Sequence, residues 1–284
     1  MSENTALDVR EATVSDLHDA MAAGECTAVG LVERYLARID QYVDELNAVL
    51  TVNPAARDRA AALDDAFETD GLTGPLHGIP VLLKDNHDTR DMPTTAGSAA
   101  LASCTPEDDA FVVTQLRAAG AILLGKANLQ ELSFGCDSIS SIGGPVRNAY
   151  DTDRRPSGSS GGTAAAVAAN LATLGTGSDT CSSVRSPPAF NDLVGLRPSR
   201  GLVSSSGIVP LCATQDTVGP IARTVEDTAR LLDVLVGYDP EDPVTATGVD
   251  AVPQDGYRSH LDTDGLEGAR IGVARDLFGL SPGS

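Results

Sequence analysis

The segment Arg154–Pro198, RRPSGSSGGTAAAVAANLATLGTGSDTCSSVRSPPAFNDLVGLRP, is the most informative part of the chain. It holds a turn with adjacent serines at 159 and 160, a small-residue helix, and a second turn, DTCSSVR, with a serine at 183. Glycines at 158, 161 and 162 let backbone amides approach a ligand with no side chain between. The alanines let the helix pack closely on its neighbours. Serine alone is a weak nucleophile, so a base must come from elsewhere in the chain.

Upstream, the apolar run IPVLLK ends at Lys84, Thr105 with Pro106 is predicted to open a helix that Gly120 closes, and AILLG at 121–125 reads as a strand. Strand, helix, strand is α/β organisation. The first seventy residues read as helical. Thr27 can cap a helix whose apolar positions Leu31, Val32, Tyr35, Leu36, Ile39, Val43 and Leu46 recur every three to four residues, the mark of one buried face. Asn53 and Pro54 open another helix toward Phe67. Downstream, Thr224 with Asp227 forms a capping box for a helix ending near Gly237. The stretch from Tyr238 to Gly265 is rich in Asp, Pro and Gly and reads as a loop, and ARIGVA near residue 270 reads as one more strand. No internal repeat is found. A chain of 284 residues can bury one substantial core. The motifs give a single domain: a helical segment over 1–70, a core over 71–237, and over 238–284 a loop and the start of a further part.

Forty acidic residues oppose twenty basic ones, 29 of the acids are Asp, and Lys84 and Lys126 are the only lysines. Such a surface repels nucleic acid and anionic lipid, whose binding needs clustered Lys and Arg. Abundant Asp with scarce Lys resembles proteins of salt-loving organisms, in which salt screens the self-repulsion. In this composition a retained lysine raises the question of what arginine could not do there, and the answer is to lose its proton. No apolar run reaches the roughly 18 to 20 residues of a membrane span, and the polar, acidic N-terminus does not resemble a signal peptide, so the expected address is the cytoplasm. Cys26, Cys104, Cys136, Cys181 and Cys212 are scattered, odd in number and free of CxxC spacing, which argues for reduced thiols and against a zinc site.

Three motif readings compete in this part of the chain. GSSGG at 158–162 fits a nucleophile elbow with Ser160 central, but that turn has to follow an apolar strand, and the only downstream histidine is His260 in the loop-like tail. GAILLGKA at 120–127 nearly fits a phosphate-binding loop, yet Ala127 replaces the magnesium-binding hydroxyl. A linker without chemistry is disfavoured by helix signals continuing on both sides. Cys181 as nucleophile lacks a histidine in either motif to activate it.

A fourth reading fits better. From about residue 12 to residue 236 the chain resembles the amidase-signature family, marked by a GGSSGG turn, a later DTGGSIR-like turn and an upstream lysine after an apolar strand. Those elements read SGSSGG, DTCSSVR and GIPVLLKDN here. LGKANLQELSFG, VGLRPSRGLVS and TQDTVGPIARTVED are similar to the family as well. The resemblance implies an α/β fold with a mixed central β-sheet flanked by helices, and hydrolysis of a small carboxamide without cofactor or metal. It matches Ser183 to the nucleophile, Ser159 to the bridging hydroxyl and Lys84 to the base. It assigns the oxyanion hole to the backbone amides of Thr180, Cys181, Ser182 and Ser183, with Asp179 and Arg185 bracing the turn and Lys126 structural.

Lys84 would have to fall by about 3 units from its ordinary pKa, roughly 4 kcal/mol supplied by burial, and Val81, Leu82 and Leu83 suit an apolar setting. Cys181 and Ser182 stand where the family has glycines, and the added Cβ atoms are expected to restrict the turn and crowd the pocket. Family members are considerably longer, and their C-terminal part completes the sheet. A truncated reading frame is the preferred explanation, ahead of a partner polypeptide or a reduced fold; an open sheet edge then implies poor solubility or a homodimer. The alternative to a free-standing amidase is an inactive fragment, or the amidase component of an aminoacyl-tRNA amidotransferase complex that passes ammonia to a partner chain.

Overall fold

In the computed structural model, residues 8–274 are described. Helix α1 (Val14–Ala22) opens with a full capping box between Thr13 and Asp16. Helix α2 (Ala28–Leu46) starts where Thr27 accepts from the Gly30 amide at 3.0 Å, and buries Leu31, Val32, Tyr35, Leu36, Ile39 and Leu46. Val43, expected on the same face, lies at its edge and is 37% exposed.

The first seventy residues are not wholly helical. Strand β1 (Val49–Val52) lies between α2 and α3 (Ala56–Asp70) and pairs antiparallel with β3 (Ile122–Ala127). Four residues between two helices carry too little alternation to show as a strand. Strand β2 (Pro80–Lys84) runs parallel to β3, with Leu83 opposite Lys126 and Lys84 opposite Ala127.

Helix α4 (Phe111–Ala118) starts later than Thr105 and Pro106 suggest, and no side chain caps it. The amides of Ala110 and Phe111 donate instead to the carbonyls of Asp88 and Ser206, so long-range bonds set the helix start. Gly120 closes it with φ +84°, a conformation that costs glycine least. The short strands β4 (Ile139–Ser140) and β5 (Gly144–Pro145) form a separate ladder.

Helix α5 (Gly161–Ala168) is the small-residue segment, and every residue in it is buried. A Cβ on Gly162 would come 2.1 Å from Asn128 O, so no larger residue fits there. The helix packs against β6 (Leu174–Asp179), which runs parallel to β2 with Leu83 opposite Thr176. Beyond α6 (Ser186–Phe190) and β7 (Val194–Gly195), strand β8 (Thr217–Ala222) joins antiparallel to both β6 and β7. The sheet order is β1-β3-β2-β6-β8-β7. This is a mixed central sheet flanked by helices.

Helix α7 (Val225–Leu235) packs on β8. Thr224 accepts from the Asp227 amide at 3.0 Å, but the Asp227 carboxylate accepts from the Val14 amide at 3.2 Å, so half of the expected capping box is replaced by a tie to α1. The stretch after residue 237 contains short 3-10 turns, Pro243–Ala251 and Arg258–His260. ARIGVA, expected as a strand, enters no ladder: Ile271 and Val273 are 70% and 57% exposed, and a strand without a paired neighbour has no hydrogen bonds to define it.

Candidate active site

Strands β2 and β6 are parallel neighbours, so their C-terminal ends fall on one edge of the sheet, the position where such sheets bind ligands. Lys84 ends β2, and Ser178 and Asp179 end β6. Lys84 is wholly buried. Its Nζ lies 2.6 Å from Ser159 Oγ, 2.8 Å from Ser178 Oγ and 3.3 Å from Ser178 O, and among the described residues no carboxylate touches it. Burial drives the amine down to about 7, opposed by the charges of Asp179 and Asp216. The apolar setting expected from Val81, Leu82 and Leu83 is present, since all three are fully buried.

Ser159 is buried in the turn before α5, joined to Gly158 by a cis peptide bond. Its carbonyl accepts from the Gln130 amide at 3.0 Å. Ser138 stitches the same turn, donating to Ser157 O at 2.7 Å and accepting from the Gly161 amide at 3.0 Å. Ser157 Oγ then meets Ser186 Oγ at 2.8 Å, tying the first turn to the segment after the second.

The second turn leaves β6 and brings Ser183 to the wall of a pocket of about 270 Å³, together with Thr180, Cys181, Ser182, Phe134 and Leu211. Ser183 is 8% exposed. Among the described residues no hydrogen bond joins its hydroxyl to Ser159; such bonds are often long without substrate and tighten when it binds. The amides of residues 180–183 donate to no protein acceptor among the described residues, which leaves four N–H groups free beside Ser183. Neither Cys181 nor Ser182 has a positive φ, so a side chain at these positions does not strain the turn; both do line the pocket.

The buried Asp179 holds this turn more firmly than an Arg185 pair alone would. It accepts from the Val184 amide at 2.9 Å, from Arg185 at 3.2 Å and from Arg197 Nη1 at 2.9 Å. Burial pushes its carboxyl up, and the bonds from Arg185 and Val184 with the two guanidinium charges outweigh that, leaving it below the usual range. Asp216 secures the far side, accepting from Thr180 Oγ1 and from the Leu211 and Cys212 amides at 2.8 and 2.9 Å. Arg197, Asp216, Ser178 and Ser138 are not singled out by the sequence, although VGLRPSR and TQDTVGP contain the first two.

The remaining candidates fall elsewhere. Ser160 is buried with its hydroxyl 3.4 Å from Ser178 O, and His260 sits on the surface beside Asp255. All of GAILLGKA from Ile122 onward forms β3, and Lys126 is buried, 3.1 Å from Asp85. All five cysteines are free thiols. Among the described residues no group of three or more His, Cys, Asp or Glu could hold a metal ion, and no helix is long and apolar enough to cross a membrane.

A mixed sheet that gathers a buried lysine, a serine turn and a second serine at one edge defines an amidase-type α/β protein. The amidase family profile matches residues 30–284, and the chain belongs to that family. It is 42% identical over 271 residues to a glutamyl-tRNA(Gln) amidotransferase subunit of Halorhodospira halophila, covering 95% of this chain and 55% of that one. The native peptide amidase of Stenotrophomonas maltophilia superposes with a TM-score of 0.81 at 47% identity, covering 84% of this chain and 50% of that one. An amidase family protein of Bacillus anthracis gives 0.87 at 40% identity, covering 91% and 53%. The chain thus spans about half the length of the relatives it matches.

Proposed function

We propose that the chain hydrolyses the C–N bond of a small carboxamide, with Ser183 as nucleophile, Ser159 as bridging hydroxyl and Lys84 as base. The observation that carries this reading is the Lys84 amine, brought near neutrality by burial and set 2.6 Å from Ser159 Oγ. A charged lysine there could only donate; a neutral one can accept the proton of Ser159.

As Ser183 attacks the amide carbonyl, its proton passes to Ser159 and the proton of Ser159 passes to Lys84. Negative charge then grows on the carbonyl oxygen, where the amides of residues 180–183 can stabilise it. When the C–N bond breaks, the same two hydroxyl and amine groups return a proton to the departing nitrogen, leaving an acyl ester on Ser183. Water repeats the sequence and frees the acid. Phe134 and Leu211 in the pocket wall suit an acyl group with an apolar side chain.

The likeness to an amidotransferase component favours a second reading, in which ammonia released here is used by a partner chain. One assay tests both. Ammonia release from primary amides, including peptide amides, is expected for the isolated chain and is expected to vanish in Ser183→Ala and Lys84→Ala. If both variants kept the parent's rate, the triad would be wrong. Release from glutamine only in the presence of a partner would favour the second reading.

A further inference from the structure

His87 is left unused by the hydrolytic scheme. It lies three residues after the base, is wholly buried, and has Nε2 without a hydrogen-bond partner among the described residues. Its other ring nitrogen, Nδ1, is 3.0 Å from Asn86 Oδ1. The protons of Asn86 decide which atom donates. Val209 O can only accept and stands 3.2 Å from Asn86 Nδ2, so the amide nitrogen faces Val209 and the amide oxygen faces the ring. His87 Nδ1 therefore carries the ring proton. Burial holds the imidazole well below its ordinary pKa, reinforced by the charges of Lys126 and Lys84, so the ring stays neutral in this tautomer. The second proton of Asn86 Nδ2 goes to Ser178 Oγ at 3.0 Å, and Ser178 Oγ is 2.8 Å from Lys84 Nζ.

We propose that His87 and Asn86 are positioning residues, which act through Ser178 to hold the Lys84 amine against Ser159; this rests on the reading of Lys84 as base. When Lys84 takes its proton it presents three N–H donors, and three acceptors stand within reach: Ser159 Oγ, Ser178 Oγ and Ser178 O. His87 fixes the orientation of Asn86, and Asn86 fixes the second of those acceptors.

The test uses a fluorophosphonate, which forms an Oγ–P bond to an activated serine as P–F breaks and the serine proton passes to the base. Labelling of Ser183 is followed by mass spectrometry from about pH 5 to about pH 9, so that the acid midpoint reports the base. His87→Leu, similar in size but without a donor, is expected to slow labelling about tenfold. His87→Gln, whose amide can donate to Asn86 Oδ1, restores most of the rate. Ser178→Ala slows it about a hundredfold and lowers the acid midpoint by about one pH unit, since an acceptor of the ammonium is gone. Asp179 and Asp216, the carboxylates whose charge reaches Lys84, are unchanged in every variant.

A merely structural role predicts otherwise. Loosened packing admits water, raises the midpoint toward that of an ordinary lysine, and leaves Leu and Gln at position 87 equal. Unchanged rates in His87→Leu and Ser178→Ala, or a midpoint that rises, overturn the proposal. Should the buried leucine prevent folding, Asn86→Ala, which removes the donor to Ser178 Oγ and leaves the ring in place, decides instead: slowed labelling upholds the relay and a parent rate overturns it. A parent chain unlabelled at Ser183 overturns the nucleophile assignment and the positioning role with it, whereas a labelled parent with indifferent variants overturns the positioning role only.

Discussion

Lys84 and Lys126 sit on adjacent parallel strands, one residue out of register, and so on opposite faces of the sheet. Both are fully buried. Lys126 is given a carboxylate: Asp85 at 3.1 Å, with Pro93 O and Thr94 Oγ1 at 3.0 and 2.9 Å. Burial pushes the Lys126 amine down and the Asp85 carboxyl up, and each charge opposes the other's shift. Among the described residues, Lys84 meets only hydroxyls and a carbonyl. One lysine is therefore half of an ion pair, and the other, which has no carboxylate in contact among the described residues, is the one proposed to lose its proton. Burial favours the neutral amine at both positions, and a touching carboxylate opposes it only at Lys126.

Substitution at the two positions separates these roles. Lys84→Met is expected to lower kcat for amide hydrolysis by about 10⁴-fold or more, as for any member of a proton-transfer unit. A urea melt should show no loss of stability, because a buried amine has been replaced by an apolar chain of similar length. Lys126→Met should do the reverse, leaving Asp85 buried and unpaired and destabilising the fold by about 3–5 kcal/mol. If Lys126→Met melted like the parent, the contrast between the two lysines would be broken.

The pH profile sharpens the same contrast. The Lys84 amine, lowered by burial from 10.5 to about 7, is neutral above that pH, and the neutral form is the one proposed to accept the proton. Activity should therefore be low in acid and rise as pH passes about 7, measured as kcat/KM. A flat profile between weakly acidic and weakly alkaline pH would remove the base from Lys84.

The smallest effects belong to the arginines around Asp179. The Arg197 side chain is 23% exposed and that of Arg185 49% exposed. Arg197→Ala should lower kcat/KM about tenfold, and Arg185→Ala less, because a more solvated ion pair contributes less. The reverse order would put the bracing of the nucleophile turn on Arg185.

Legibility in the sequence follows the chemistry of each residue. Lys84 and Ser159, 2.6 Å apart in the fold, stand out in the chain as a rare lysine after an apolar run and a serine in a glycine-rich turn. Strand β6, LGTGSD, does not stand out, because close packing against α5 demands small residues and removes the branched and aromatic signature of a strand. Strand β8, TVGPIA, carries a glycine and a proline within its six residues and is likewise hidden. The start of α4 escapes local reading because distant carbonyls, those of Asp88 and Ser206, fix it. Ser178 and Arg197 make contacts that only the folded chain supplies. No local spacing marks them.

The last two residues of β6 serve different masters: Ser178 reaches the Lys84 amine, while Asp179 grips the turn that carries Ser183. Both ends of the proposed proton route are thus bolted to one short rod, itself locked in the sheet between β2 and β8. One strand end therefore sets the placement of both groups through two adjacent side chains.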